Sequence, residues 1–169
     1  MTARAILLVC FALSLIVTST SCIRYLPRVQ SSDCVSRKAL LDLKLILAAK
    51  QGRVEIMRET INAGADVNVT DDLFGNPVVA AATSGNPDAV KLLLESGANV
   101  NASDGGGYTA LMRAILNGDA DLVQQLLSAG AAPNLRNSRL AGKPTALGLA
   151  KLKKNEVIIK MLTDAGATE

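Results

Sequence analysis

Gly64-Ala65-Asp66-Val67-Asn68 returns 33 residues later as Gly97-Ala98-Asn99-Val100-Asn101, and again after another 33 as Gly130-Ala131-Ala132-Pro133-Asn134. A last echo, Gly166-Ala167-Thr168-Glu169, follows after 36, so three residues have entered between Asn134 and Thr145. Gly52, Gly85 and Gly118 keep the same phase, as do the openings Asn76-Pro77-Val78-Val79, Thr109-Ala110-Leu111-Met112 and Thr145-Ala146-Leu147-Gly148. A fixed period of this length marks a repeat array. Each unit is a small supersecondary element that cannot bury its own apolar face, so stability belongs to the stack.

Within a unit the residues specify two helices. Pro77 to Ser84 predicts a short apolar helix ended by Gly85, where a left-handed residue is needed. Asn86 then caps a second helix, with Pro87 at its first position and Asp88 in a first turn that favours negative charge. Ala89, Val90, Leu92, Leu93 and Leu94 supply its buried face, and Gly97 stops it. Asp119 caps the equivalent helix with Leu122, Val123, Leu126 and Leu127 inside, and Asn155 the one carrying Val157, Ile158, Met161 and Leu162. Ala48, Ala49, Ala81, Ala82, Ala114 and Ala150 let neighbouring helices approach closely.

This pattern resembles the ankyrin repeat over about residues 43–169. The resemblance implies an all-α solenoid of about four helix-turn-helix units, roughly 37–71, 72–104, 105–137 and 138–169, joined by hairpin loops. Two departures stand out: Leu43-Lys44-Leu45-Ile46 occupies the place of the opening turn in the first unit, and Lys154 replaces the internal glycine of the fourth. Worn end units are usual where a stack is capped.

The resemblance also implies where a partner binds: at the hairpin tips and on the first-helix positions that form a concave face. The first tip is Asp71, Asp72, Leu73, Phe74 and Gly75; the second runs from Ser103 through Asp104 to Tyr108; the third, from Arg136 to Pro144, includes Arg139 and Leu140. Helix positions facing the groove are Lys50 and Gln51, Thr83 and Ser84, Leu116 and Asn117, and Leu152 and Lys153. Leu73, Phe74, Tyr108, Leu116 and Leu140 are apolar where solubility alone would place polar residues, which suits anchors for a protein partner. The competing reading is that Phe74 and Tyr108 fold back over the adjacent helix.

Ahead of the repeats lies an address. Arg4 and the free amine precede an unbroken apolar run, residues 5–17, then Thr18-Ser19-Thr20-Ser21-Cys22. These are the parts of a secretory signal peptide spanning residues 1–21, too short for a stable membrane span. Small residues before Cys22 resemble a bacterial lipobox, although Ser19 stands where leucine is typical; lipidation of Cys22 is the expectation, and a disulfide with Cys34 the alternative. Residues 22–36 read as a flexible tether to the repeat domain, residues 37–169. The expected location is therefore the periplasm, anchored through Cys22.

Composition narrows the function. With 169 residues, no histidine and no tryptophan, there is no imidazole metal site and no Ser-His or Cys-His nucleophile. Three cysteines do not make a structural zinc site. Asp71-Asp72 is explained by its counterpart Asp104, 33 residues on, as turn-forming, and Ser103-Asp104-Gly105-Gly106-Gly107 lacks the Lys-Ser/Thr of a phosphate loop. No catalysis, metal or cofactor is expected. Net charge is +3 with two Tyr and two Phe, too little for nucleic acid. Residues 61–121 carry an excess of acids, and the flanking segments an excess of Lys and Arg, including Arg136, Arg139, Lys143, Lys151, Lys153 and Lys154. A protein partner with a basic patch is expected to associate faster at low salt, and the basic cluster is able to touch acidic headgroups. By resemblance, small exported members of this kind serve as immunity proteins against a secreted toxin, such as a lipase, or as accessories of an envelope enzyme in oxidative-stress defence; a secreted host-directed effector is a third option. The unbound chain is expected to be a monomer.

Overall fold

The computed structural model describes residues 37–71, 75–137, 139–142 and 144–168. The signal peptide, Cys22 and the tether lie outside the described residues, as do Asp72, Leu73, Phe74 and Lys143. Among the described residues the regular structure is eight α-helices: α1 (Arg37–Lys50), α2 (Val54–Asn62), α3 (Pro77–Ser84), α4 (Pro87–Glu95), α5 (Ala110–Asn117), α6 (Ala120–Ser128), α7 (Ala146–Lys153) and α8 (Glu156–Asp164). None of them is long and apolar enough to cross a membrane.

Capping fixes the helix bounds. Asn86 accepts the Ala89 N–H at 3.0 Å, Asp119 the Leu122 N–H at 2.9 Å and Asn155 the Ile158 N–H at 3.2 Å, each relieving an orphan donor of the first turn. At the far ends of α3 and α5, Gly85 and Gly118 turn into the left-handed region, with φ of 67° and 75°. Lys154 does the same for α7 at φ 56°, and among the described residues it alone has positive φ without being glycine. The stack therefore demands a left-handed residue there and accepts about 1–2 kcal/mol of strain to obtain it from lysine.

The helices form two rows. α1, α3, α5 and α7 pack one on the next, and each also packs on its own second helix. Fully buried alanines at 49, 81, 114 and 150 permit that approach. Leu93, Leu122, Leu126, Ile158 and Leu162 fill the layer between the rows. Three isolated antiparallel bridges, Asp71 with Gly75, Ser103 with Thr109 and Arg136 with Thr145, close the bases of the hairpin tips.

The recurring asparagines stitch the units together. The Asn68, Asn101 and Asn134 side chains accept the backbone N–H groups of Asn99, Ala132 and Thr168, at 2.7, 2.8 and 2.7 Å. Asp66 and Asn99 accept the N–H two residues on, shaping the turn from which those asparagines reach out. Among the described residues no preceding unit supplies such an acceptor to the first, and α1 begins about two turns earlier than its counterparts. Asp42, buried on that extension, accepts the Asp66 N–H at 2.7 Å. This is why Leu43-Lys44-Leu45-Ile46 departs from the turn motif: the segment is helix, and it closes the ladder.

Candidate functional site

First helices and tips together enclose a cleft of ≈ 290 Å³. Its floor is Val79 and Ala80 of α3, and its rim includes Lys50 at the end of α1, Thr83, and the Gly105-Gly106 turn of the second tip. Thr83 is exposed, its hydroxyl donating to Val79 O within its own helix at 2.8 Å. The other wall is a locked trio. Arg113 donates to Asp104 Oδ2 through Nε at 3.2 Å and through Nη2, while its guanidinium carbon lies 4.2 Å from the Tyr108 ring centroid. The other oxygen of Asp104 accepts the Gly106 and Tyr108 N–H groups, both at 2.9 Å. Fork-to-carboxylate geometry and a cation over the ring hold the tip rigidly against α5.

The third tip continues this order. Asn137, fully buried, donates to Gly106 O at 3.1 Å and accepts the Arg139 and Leu140 N–H groups at 3.0 and 3.2 Å. Asp104 and Asn137 are 33 residues apart, so one position of the period organises both tips. The spacing was readable in the sequence; the reach of Asn137 into the neighbouring tip was not.

The residues expected at the interface separate into groups. Lys50 and Thr83 border the cleft, and Arg136 and Arg139 are exposed on the third tip. Asp104 lies within the cleft wall, bound to Arg113, and Tyr108 and Leu116 are partly buried and packed against the core, so for Tyr108 the covering role is realised. Ser84 and Asn117 are exposed yet engaged: Ser84 Oγ donates to Ala81 O and Ala49 O, and Asn117 Nδ2 to Ala82 O and Thr83 O, tying the ends of successive first helices. Leu140 is half-buried, and Asp71 sits in the bridge at the base of the first tip. Asp72, Leu73 and Phe74 lie outside the described residues. Leu152 stands out at 77% exposure.

A family model described as ankyrin repeats, in three copies, matches residues 45–137. The chain belongs to the ankyrin-repeat family. The comparison with curated proteins finds no match. Ankyrin repeats are protein–protein interaction modules and are generally non-catalytic, and the cleft just described lies between the tips and first helices of this ankyrin-repeat stack.

Electrostatics refine the picture of an acidic centre. In the ankyrin units of this chain Asp66 pairs with Lys38 at 3.8 Å, Asp104 with Arg113, and Asp119 caps α6. The exposed carboxylates left over, Asp88, Glu95 and Asp121, belong to second helices and face away from the cleft row. The cleft itself carries Lys50 and Arg113 against the one carboxylate of Asp104.

Proposed function

We propose that the chain is a non-catalytic protein-binding module of the bacterial cell envelope, anchored through Cys22, which takes one partner in the cleft between tips and first helices and serves as an immunity protein against a secreted toxin. The observation that carries this reading is the cleft itself: a small apolar floor, the ammonium of Lys50 on its border and a rim held by the Asp104–Arg113–Tyr108 trio. A preorganised rim lowers the ordering cost of binding. A partner offering an acidic side chain beside a small apolar group suits this face. Absence of a catalytic role is supported by the use made of the carboxylates, since Asp104 is spent on a turn and an ion pair. An accessory role toward an envelope enzyme draws on the separate acidic surface of Asp88, Glu95 and Asp121.

Affinity capture from envelope extract and from toxin-bearing competitor extract, read by mass spectrometry, tests this. A stoichiometric partner retained by the native chain and lost in Lys50→Glu/Thr83→Arg is the expected result. Capture unaffected by that pair, and abolished by Asp88→Lys/Glu95→Lys, would transfer the function to the outer face.

A further inference from the structure

α1 is apolar on two sides. Leu45, Ile46, Ala48 and Ala49 are buried against the stack, while Leu40, Leu43 and Leu47 line the opposite face. With Ile56 of α2 they form a groove rimmed by Lys44, Gln51 and Arg53. Leu40 is 60% exposed. An exposed apolar face of this kind, set beside the exposed cation Lys44, calls for an occupant.

The charge around the groove selects one. Among the described residues that line it, Lys44 and Arg53 are the ionisable ones, and none is a carboxylate. Asp42 is turned inward to the Asp66 N–H, and Glu55 belongs to a different groove, between α2 and α4, with Arg58, Asp88 and Lys91. A second copy is a poor match. The opposite end of the stack exposes Leu152 and Val157 among Lys151, Lys153, Lys154 and Lys160, with Glu156 and Asp164 in the minority, so end-to-end stacking would set mainly cations against cations, as would groove against groove. An apolar stripe bordered by basic residues is the composition of a helix lying in the interface of an anionic bilayer. Chain order agrees: the segment from Cys22 enters the stack at α1, with fourteen residues between Cys22 and Arg37.

We propose that the outer face of α1, with Leu40, Leu43, Leu47 and Ile56 between Lys44 and Arg53, docks on an anionic lipid surface. The proposal rests on membrane anchoring in one respect, that the amino-terminal end is the membrane-proximal one. Docking there holds the stack by two attachments, and the groove shares no lining residue with the cleft.

The absence of tryptophan makes the test direct. Leu40→Trp and, at the far end, Leu152→Trp each place a single indole on an exposed position of the full chain. Both are reconstituted with vesicles of phosphatidylcholine, or phosphatidylcholine with phosphatidylglycerol, carrying brominated acyl chains. Every sample is the mature chain lipidated at Cys22, so attachment is held constant. The proposal predicts a blue shift and bromine quenching at position 40 in the anionic vesicles alone, their loss in Lys44→Glu/Arg53→Glu, and a water-exposed spectrum at position 152 throughout. Three results would overturn it: an indole at 40 equally accessible to iodide with and without anionic lipid; one already buried without lipid, which at any dilution means that the chain covers its own groove and with concentration dependence means a second copy; or insertion of position 152 instead. Partner capture by the cleft is read separately, so failure here leaves that reading standing or falling on its own result.

Discussion

Replacing Lys154 by glycine should stabilise the protein. Lys154 closes α7 with φ 56°, and its N–H donates to Lys151 O at 3.0 Å, the geometry in which Gly118 N–H meets Ile115 O at 3.0 Å. An L-residue there costs about 1–2 kcal/mol. Glycine removes that strain but frees the unfolded chain by about 0.4–1 kcal/mol. The net gain is about 0.5–1 kcal/mol, which for a domain of this size raises Tm by roughly 2–5 °C. Lys154 is exposed and the side chain holds no ion pair among the described residues, so little else is lost. The assay is urea and thermal unfolding followed by circular dichroism, with Lys154→Ala beside it. Alanine removes the charge and keeps the strain, so it should leave stability nearly unchanged. Equal gains from alanine and glycine would show that lysine repulsion, not backbone strain, was relieved, and a neutral or destabilised Lys154→Gly would refute the reasoning.

Other consequences follow from the same contacts. Gly107 has φ 77°, and a Cβ there would overlap Asn137 Oδ1 and stand 3.1 Å from Asn137 Cγ, whereas at Gly118 it would meet nothing within 4 Å; Gly107→Ala should therefore cost about 2–4 kcal/mol in unfolding experiments against about 1 kcal/mol for Gly118→Ala. Asp42→Ala leaves the Asp66 N–H without its acceptor and should destabilise by about 1–3 kcal/mol, with faster amide exchange concentrated in the first unit. Arg113→Lys keeps the charge but loses the fork on Asp104, so nuclear magnetic resonance should show the Gly105–Tyr108 turn gaining mobility almost as much as in Arg113→Ala.

Much of this architecture could be read because a repeat states its own grammar several times. The bounds of α3 followed from Pro77 and Gly85, and the caps Asn86, Asp119 and Asn155 from their place before each apolar run. Even the irregular Lys154 was locatable, since its phase demanded a left-handed residue. Periodicity shows which residues are equivalent but not which neighbouring atom each one reaches. Thus Asn68, Asn101 and Asn134 were visible as a series, while their bonds to the next unit were not. Asn117 and Ser84 looked available because they sit at surface positions, yet both serve carbonyls of the preceding helix. Tyr108 presented the same problem: an aromatic at a tip suits a partner or the protein itself, and the deciding residue, Arg113, lies five positions on in a different element. The extension of α1 escaped because a missing motif gives no clue to what replaces it.

The central claim, that a partner is held in the cleft between tips and first helices, is tested most directly by hydrogen exchange on the complex with the captured partner. Protection on binding should fall on Gly105–Tyr108, the third tip and the ends of α1 and α3, with Asp88, Glu95 and Asp121 unchanged, and Lys50→Glu/Thr83→Arg should remove it. Protection confined to α4 and α6 with the cleft unaffected would contradict the account.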